Sequence, residues 1–469
     1  MTSSAVFAKR HQEFLQKIGS GVALLLGRTR TAEDDLGLYP KKQESDFFYL
    51  TGVEQPNAAT IFSTTKPHFT LFIEPPNPER EKWTGKMLSL IEAKRLFCAD
   101  LVLPIADLEK QCLEVFGKHD TVWYTLGSSE RGGLLIRQTF NALKHSVRDG
   151  VRAPTTIHNP SVVIAELRLK KSREELAAMR KAQTITAEAF TAAMRAAKPG
   201  KFEYEVVAEL EAMFRRRGVV RPAYQPIVCS GPKTCILHCP TYDRKLRAGD
   251  LLLIDAGAEW EGYAADVTRT IPVSGKFSKP QRLIYDVVLA AQEAVIAKVR
   301  PWMKFDELEQ TACATLLDGL LRHKVVEASP RPNKRHPELA TPTAVAGAPL
   351  EAVVEGSQAI SASSLDSARD DTSRHFPHKI GHWLGLEVHD VGSYRNRDGN
   401  WRVLEPGMVL TVEPGLYFPK ASKGVNREFQ DIGIRIEDDL LVTKTGHEVL
   451  SKVIPKKPLE LERLLRRKR

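Results

Sequence analysis

The chain has 469 residues, of which 42% are hydrophobic, so it exceeds one ordinary domain and can bury sizeable cores. No apolar run approaches the length of a membrane span, and the first residues lack the apolar segment of a secretory signal. Six cysteines in so long a chain do not make a disulfide framework and indicate a reducing compartment. We therefore expect two domains, no membrane partner and a cytoplasmic location, with a mitochondrial address left open.

The formal net charge is +10, and part of the basic excess lies in a tail over residues 456–469, KKPLELERLLRRKR. A basic tail can bind nucleic acid or anionic lipid. This tail has no interleaved aromatic residues that would stack on bases. It is therefore predicted to be a solvated terminal helix, and no nucleic-acid partner is expected.

Residues 1–160 alternate between helical and strand-like patterns. A charged helix is predicted over 5–18, followed by a short buried strand in GVALLLG. The next pieces read as β-rich and apolar: ESDFFYLTGV, ATIFS and FTLFIEPP. Helical spacing returns in IEAKRLF and LEKQCLEVF, and TVWYTLG reads as a strand. This order predicts an α/β domain with a mixed sheet.

A junction at 154–172 leads into a second domain, predicted over 161–455. Its first helix starts at a capping box formed by Ser172 and Glu175, and a second helix follows in FEYEVVAELEAMFRRRG. Strands separated by turns come next, so the domain is predicted to be α+β. One segment, 326–374, is rich in Pro, Ala, Ser and Glu, and we expect a disordered or partly helical surface insertion.

Two carboxylates stand in strand-like sequence within LLLIDAGAEWEGYAADVTRT. Asp255 follows the apolar run LLLI, and Asp266 comes after EGYAA. A hairpin that turns near Trp260 and Glu261 would place the two carboxylates directly opposite each other. Opposed carboxylates in a sheet repel by up to about 1 kcal/mol, so this arrangement needs a compensating cation.

Three histidines lie close together in PHKIGHWLGLEVHDVG, namely His378, His382 and His389. On a helix, the first two would present a metal-binding pair four residues apart. Gly381 and Gly385 disfavour a helix here. We therefore expect a glycine-rich patch with three imidazoles.

Two further carboxylates complete a potential metal site. Glu413 precedes Pro-Gly in LTVEPGLYF, where a strand ends and turns. Glu437 and Arg435 share a strand face in IGIRIEDD, so the arginine can hold the carboxylate or balance the charge of the site. Four carboxylates and at least one imidazole exceed what a single zinc ion needs, and they suit two divalent ions that share a water.

A second possible metal site lies in CSGPKTCILHCP. Its candidate ligands are Cys229, Cys235, His238 and Cys239. Their spacing matches no closed tetrahedral zinc pattern, so a structural zinc is disfavoured. His238 has more interest as a loop histidine just before the carboxylate hairpin.

The second half of the chain resembles the pita-bread metallopeptidases, specifically the aminopeptidase P and prolidase branch. The matching motifs span 236–439 in the expected order: ILH, LLIDAGAEWEGYAADVTRT, HKIGHWLGLEVHDVG, LEPGMVLTVEPGLYF and IGIRIEDD. The first half resembles the N-terminal domain of aminopeptidase P in QESDFFYLTGVEQPNA and EPPNPEREKWTG. The resemblance implies an α+β pita-bread domain behind an α/β domain of the aminopeptidase P type.

The resemblance also implies two divalent ions, with manganese as the usual metal. Asp255 would bind one ion bidentately, and Asp266 and Glu437 would bridge both. His382 and Glu413 would complete the shell of the other ion. All five ligands are present, and an oxygen-rich set of this kind suits manganese.

The remaining residues would serve a peptide substrate with proline at the second position. By resemblance, Glu413 moves a proton from the attacking water to the proline nitrogen, and His389 donates to the carbonyl oxygen. His238 and His378 would line the pocket near the proline. Arg435 would support the site through its charge.

Three alternatives stay open from the sequence. The chain resembles an Xaa-Pro aminopeptidase more than an Xaa-Pro dipeptidase, but the insertion at 326–374 could narrow the cleft and favour dipeptides. A non-catalytic binding protein that uses the basic tail is disfavoured by the intact ligand set.

Trp83, in EKWTG, resembles a residue that approaches a neighbouring subunit, which suggests a homo-oligomer, either a dimer or a tetramer.

Overall fold

The fold of the chain is given by a computed structural model, which describes residues 4–35, 41–146, 150–326, 372 and 374–466. The described residues of the N-terminal half form six strands and seven α-helices. Its strands are β1 (Val22–Leu26), β2 (Ala59–Ser63), β3 (Phe69–Ile73), β4 (Leu101–Pro104), β5 (Thr121–Trp123) and β6 (Thr156–His158). Its helices are α1 (Ser4–Ile18), α2 (Ala32–Asp35), α3 (Ser45–Thr51), α4 (Pro78–Thr84), α5 (Leu90–Phe97), α6 (Leu108–Phe116) and α7 (Glu130–His145).

The six N-terminal strands form one mixed sheet in the order β4-β3-β2-β1-β5-β6. β1 is antiparallel to β2 and parallel to β5. The strands β2 and β3 are buried along their whole length, because helices cover the sheet. The predicted α/β domain with a mixed sheet is therefore confirmed.

The segment ESDFFYLTGV is a helix, so its prediction as β-rich sequence was wrong. Glu44 caps α3 by accepting a hydrogen bond from the backbone N–H of Phe47, and Gly52 ends the helix with a left-handed φ of 69°. The two caps satisfy backbone groups at both ends of this short helix. They outweigh the strand preference of the aromatic residues between them, and all but one of the residues of α3 are buried.

The C-terminal half consists of helices packed on short antiparallel sheets. Its helices are α8 (Ser161–Leu169), α9 (Arg173–Ala196), α10 (Glu203–Arg216), α11 (Lys279–Lys298), α12 (Asp306–Arg322) and α13 (Pro458–Arg466). Its strands are β7 (Ile227–Ser230), β8 (Leu251–Ala256), β9 (Glu259–Trp260), β10 (Tyr263–Ala264), β11 (Val267–Pro272), β12 (Val409–Val412), β13 (Gly415–Phe418), β14 (Ile432–Arg435), β15 (Asp438–Val442) and β16 (His447–Val449). α9 packs on α10 and α11 packs on α12, and one large hydrophobic core joins these helices to the strands.

The central strand of this half is β8, which lies between β7 and β11. Every residue of β8 is buried, which explains why its sequence is a continuous apolar run rather than an alternating one. β12 pairs with β15, and β13 pairs with β14. The capping box predicted at Ser172 and Glu175 is present at the start of α9.

The hairpin that joins β8 to β11 forms as expected, but its predicted register was wrong. Asp255 pairs with Thr268, and Asp266 lies two residues before that partner. The two carboxylates are therefore diagonal rather than direct neighbours. The turn is centred on Glu261 and Gly262, whose φ angles of 49° and 86° suit a two-residue hairpin turn.

The described part of the basic tail forms α13, with Leu461 and Leu465 buried against the core. Lys198 donates a hydrogen bond to the carbonyl of Leu465 at 2.8 Å, which ties this helix to the end of α9. The predicted insertion lies almost entirely outside the described residues. Among the residues that are described, no helix is long and apolar enough to cross a membrane.

Candidate metal and active site

All nine predicted site residues line one cleft in the C-terminal half. The cleft has a volume of about 1200 Å³. The nine residues are His238, Asp255, Asp266, His378, His382, His389, Glu413, Arg435 and Glu437. They come from widely separated parts of the chain, so the fold is what brings them together.

The centre of the cleft is a group of three potential metal ligands. One donor atom from each of Asp266, His382 and Glu437 lies within 4.8 Å of the other two. His382 Nε2 is 3.4 Å from Asp266 Oδ2. The sequence predicts Glu437 within a strand. In the structure this residue lies in the two-residue connection between β14 and β15.

Asp255 and Asp266 are joined by a residue that the sequence did not indicate. The phenolic oxygen of Tyr224 lies 2.5 Å from Asp266 Oδ1 and also hydrogen-bonds to Asp255. Burial raises the pKa of Tyr224 first, and the charges of the two carboxylates raise it further. A neutral phenol therefore stands between two buried aspartates.

Arg435 contributes a permanent positive charge to the site. Its Nη2 donates to Asp255 Oδ2 at 2.5 Å, and its Nη1 donates to the hydroxyl of Tyr417 at 2.9 Å. Its Nε donates to Thr268 Oγ1 at 3.1 Å, and that hydroxyl donates to Glu437 Oε2 at 2.7 Å. The guanidinium is therefore in contact with one carboxylate directly and with another through a hydroxyl.

Glu413 follows the last residue of β12, where the chain turns into β13. Its Oε1 lies 3.5 Å from His382 Nε2, and its backbone N–H donates to the carbonyl of Ile380 at 2.8 Å. Burial raises the pKa of Glu413 to about 7, although His382 and Arg435 lower it. This carboxyl group is therefore poised to exchange a proton near neutral pH.

The glycine-rich histidine segment is not helical, as expected. His378 Nε2 hydrogen-bonds to the hydroxyl of Tyr417 at 2.8 Å, and burial lowers the pKa of His378 to about 3. The His389 ring stands edge-on to the His382 ring, with centroids 4.3 Å apart. Burial first, and then the nearby His382, lower the pKa of His389, so its imidazole is neutral near pH 7. His238 lies on an exposed loop of the same cleft.

The charges of the cleft fit divalent cations. Burial raises the pKa of Asp255 and of Glu437, and neighbouring carboxylates raise both further. His382 is the exception, since Asp266 and Glu413 overcome its burial and raise its pKa to about 9. In the metal-free protein, bound protons and the guanidinium of Arg435 therefore compensate the negative charge of the carboxylates. Divalent metal ions would supply the same compensation.

The alternative zinc site does not assemble in the described residues. Cys229 and Cys239 are buried together in a small cluster with Leu253, while Cys235 ends a separate 3₁₀ turn, Gly231–Cys235. In the part of the chain that the structure describes, the group able to hold a metal is the one at Asp266.

Four contacts of the site were missed from the sequence, and Tyr417, which hydrogen-bonds to His378 and Arg435, is one of them. Thr268 shares a strand face with Asp266, so the period of two could have indicated it. Asp439 accepts a hydrogen bond from the backbone N–H of Asp266 at 2.9 Å, and its position two residues after Glu437 offered a similar clue. Tyr224 lies in irregular chain before β7, where no periodic pattern exists.

Two relatives match nearly the whole chain. An Xaa-Pro aminopeptidase of Escherichia coli (strain K12) is 35% identical over 466 residues, which covers 98% of this chain and 97% of the relative. Intermediate cleaving peptidase 55, mitochondrial, of Arabidopsis thaliana is 30% identical over 432 residues, covering 92% of this chain and 76% of that protein.

Solved structures resemble the fold over its whole length. Aminopeptidase PepP of Pseudomonas aeruginosa superposes with a TM-score of 0.88 at 32% identity, covering 99% of both chains. Zinc-substituted E. coli aminopeptidase P in complex with product gives a TM-score of 0.86 at 34% identity, covering 99% of this chain and 98% of that one. These matches confirm the expected α+β pita-bread fold with an N-terminal α/β domain.

Family models agree with these relatives. The model of metallopeptidase family M24 matches residues 177–444, and the model of the aminopeptidase P N-terminal domain matches residues 7–124. The M24 match alone covers more than half of the chain. The chain therefore belongs to metallopeptidase family M24 and carries the N-terminal domain of aminopeptidase P.

Proposed function

We propose that this chain is a metal-dependent Xaa-Pro aminopeptidase, which removes the first residue from peptides that have proline in second place. The observation that carries the proposal is the convergence of Asp255, Asp266, Glu413, Glu437 and His382 in one cleft. Family membership implies divalent metal ions, and the relatives that match over nearly the whole length bear this activity in their names.

We propose that two divalent ions bind here, with manganese as the physiological metal. Asp255, Asp266, His382, Glu413 and Glu437 are the residues that would hold the ions. When bound, the ions lower the pKa of a water and polarise the scissile carbonyl. Four carboxylates balance the charge of two divalent ions, and their oxygen donors suit manganese.

Glu413 is assigned the proton transfer. Its carboxyl group has a pKa of about 7, so it can accept a proton from the attacking water near neutral pH. The same group can then deliver that proton to the proline nitrogen as the amide bond breaks. The tertiary amide nitrogen of an Xaa-Pro bond carries no hydrogen, so it must gain this proton to leave as the secondary amine of proline.

His389 is assigned the stabilisation of the carbonyl oxygen as negative charge develops. Its ring lies beside that of His382, at the edge of the ligand group, and is neutral near pH 7. It can therefore donate one N–H without adding charge to a cationic site. His378 and His238 would line the wall against the pyrrolidine ring. Arg435 would fix Asp255 and thus the shape of the site.

The size of the cleft favours longer peptides over dipeptides. Sites that enclose a drug-sized ligand have volumes of roughly 300–1,000 Å³. The cleft here, at about 1200 Å³, exceeds that range, and it extends past the ligand group to Phe305, Tyr394 and Trp401. A dipeptide would fill only part of it, so an aminopeptidase is favoured over a dipeptidase.

The direct test compares an Xaa-Pro dipeptide with an Xaa-Pro-Xaa tripeptide on the manganese-loaded protein. We expect kcat/KM to be at least about tenfold higher for the tripeptide, a difference of about 1.4 kcal/mol in transition-state stabilisation. A dipeptide preference would instead support a prolidase. If the protein cleaves neither peptide, the proposed function is wrong.

We also propose that the protein self-associates through the face that carries Trp83. This side chain is 86% exposed on α4, and Ile91 on the following helix is 84% exposed. Contiguous exposed apolar patches mark association surfaces, and these two side chains lie on consecutive helices. Light scattering on the purified protein and on Trp83→Ala would test this, with a dimer or tetramer expected only for the first. The domain boundaries and the cellular compartment stay predictions.

A further inference from the structure

A buried arginine connects the N-terminal half to the wall of the cleft. Arg168 lies on α8, and its side chain is 2% exposed. Its Nη1 donates to Asp46 Oδ1 on α3 at 2.7 Å, and its Nη2 donates to Asp390 Oδ1 at 2.5 Å. Asp390 directly follows His389 in the chain. One guanidinium therefore bridges the N-terminal domain and the residue next to an assigned catalytic histidine.

The ion pairs around Asp390 form a balanced set. Lys171 Nζ donates to Asp390 Oδ2 at 3.2 Å, and the lysine and aspartate side chains are 0% and 1% exposed. Burial raises the pKa of Asp390, but Lys171 and Arg168 outweigh it and lower that pKa overall. Among the buried groups, two cations thus face two anions, Asp46 and Asp390, and Arg168 Nη2 also lies 3.9 Å from Oε1 of the half-exposed Glu387. Removal of any one leaves an uncompensated buried charge.

The chain folds tightly around the Asp390 carboxylate over residues 383–390. The backbone N–H of Asp390 donates to the carbonyl of Trp383 at 2.9 Å. A Cβ atom on Gly385 would lie 2.0 Å from Asp390 Oδ2, so only glycine leaves room for the carboxylate there. This segment starts immediately after His382 and carries His389, and Asp390 holds its end.

The imidazole of His389 has no other anchor among the described residues. Its ring contacts the His382 ring but makes no hydrogen bond to another described side chain or backbone group. The position of the ring therefore depends on the backbone at 389, and that backbone is fixed by its neighbour, Asp390.

We propose that the chain of ion pairs from Asp46 through Arg168 to Asp390 sets the position of His389, so that Asp46 and Arg168 are positioning residues for peptide hydrolysis. The inference rests on the proposed function, because it assigns its effect to His389. The N-terminal domain thereby contributes to the rate, although none of its residues named here touches the reacting atoms. A displacement of a catalytic group by about 1 Å costs up to about a hundredfold in rate.

The test uses the full-length manganese-loaded protein and an Xaa-Pro-Xaa peptide. Asp46→Asn keeps the shape of the side chain and removes its charge. We expect kcat to fall about tenfold with KM changed less than twofold, because the substrate still binds while His389 is misplaced. The matched control is Glu175→Gln, which neutralises another buried carboxylate that pairs with Arg10 across the two halves at 3.4 Å. The control is expected to change the melting temperature but not kcat.

A double-mutant cycle with His389→Ala separates positioning from general damage. If Asp46 acts through His389, Asp46→Asn changes kcat less than twofold once that histidine is gone. Arg168→Lys, which keeps the charge but cannot bridge both carboxylates, should behave in the same way. The inference would be wrong if Asp46→Asn lowered kcat equally in the presence and in the absence of His389. It would also be wrong if Glu175→Gln lowered kcat as much as Asp46→Asn does. A wild-type protein inactive on every Xaa-Pro peptide would instead overturn the proposed function.

Discussion

Arg435 Nη2 lies 2.5 Å from Asp255 Oδ2, and both side chains are nearly inaccessible to solvent. The guanidinium therefore supplies positive charge to a cluster of four buried carboxylates. Burial of an ion pair costs several kcal/mol per ion, and removal of one partner leaves that cost uncompensated. Arg435 thus offsets part of the cost of burying the acidic cluster before any metal is bound.

Arg435→Met should destabilise the metal-free protein far more than the metal-loaded protein. We expect the free energy of unfolding to fall by about 3–5 kcal/mol in chelator, because Asp255 loses its partner. Divalent ions supply compensating charge, so the loss should shrink in excess manganese. Urea denaturation with and without metal measures both values. As a control, Arg402→Met removes an ion pair with the half-exposed Glu166, which is worth about 0–1 kcal/mol in either condition. Equal losses in chelator for the two variants would contradict the role given to Arg435.

Glu413→Gln should abolish turnover without unfolding the protein. The substitution keeps the size of the side chain but removes the titrating group, so we expect kcat to fall by about 10²–10⁴-fold. Asp266, His382 and Glu437 still lie within 4.8 Å of one another, so metal should bind more weakly but remain bound when it is supplied in excess. Steady-state kinetics and metal analysis of the same sample make the comparison. The control Glu405→Gln alters an exposed ion pair with Lys170 and should retain full activity. Full activity in Glu413→Gln would end the assignment.

Metal uptake should release protons and should tighten as the pH rises. In the metal-free protein, Asp266 and Glu413 overcome burial and raise the pKa of His382 to about 9, so the imidazole is protonated at pH 7. A metal needs the neutral imidazole, so apparent affinity should rise about tenfold per pH unit up to about pH 9. Below about pH 7, protonated Glu413 should weaken binding further.

The raised pKa of His382 also predicts how the stability of the metal-free protein depends on pH. Its folded-state pKa lies above its unfolded value, so its contribution is fully present below about pH 6.5 and is lost as the pH rises through about 9.

Calorimetry of manganese binding at pH 8, in two buffers of different ionisation enthalpy, counts the protons that metal uptake releases. We expect the unaltered protein to release about one proton more per chain than His382→Ala does, because that variant lacks the titrating imidazole. An affinity that does not change between pH 7 and 9 would contradict the predicted protonation.

The ligand set was predictable because each member follows a recognisable local pattern. Asp255 ends an apolar run, Glu413 precedes Pro-Gly, and the histidines sit among glycines. Residue type and local context were enough to identify these positions as candidates. Their convergence rested on a resemblance, because spacing alone cannot show that segments more than a hundred residues apart meet in one cleft.

The errors in the sequence interpretation have local physical causes. The hairpin centre was placed one residue early, because Glu261 takes a left-handed φ of 49° that its type does not favour. The aromatic residues of α3 prefer sheets, so its sequence predicts a strand. Its caps, Glu44 and Gly52, instead stabilise a helix. In both cases one backbone conformation at a chain reversal or a helix end outweighed residue preference.

The contacts that support the site were not predictable, because they join residues with no shared pattern. Arg168 connects Asp46 with Asp390 across more than two hundred positions of sequence, and nothing in the composition of α8 distinguishes this arginine from a surface one. Buried ion pairs of this kind are set by the packing of whole elements. They emerge only when the three-dimensional structure is known.

Tyr224 offers the sharpest test of such a supporting contact. Its hydroxyl reaches both Asp255 and Asp266, so it orients two ligands whose charges repel. Groups that orient metal ligands typically contribute 10–100-fold to metal affinity. We expect Tyr224→Phe to weaken manganese binding by about that factor, measured by competition with a chelator. Activity should recover when manganese is saturating, because no catalytic group has changed.

The matched control for this variant is Tyr242→Phe. Tyr242 donates its hydroxyl proton to the backbone carbonyl of Pro226, two residues after Tyr224 in the chain, and does not hydrogen-bond to any of the five proposed ligands. The control should bind manganese with unchanged affinity. Tighter binding in Tyr224→Phe would mean that the phenol competes with metal for the two carboxylates rather than orienting them. The sign of the change therefore decides which of the two roles the hydroxyl has.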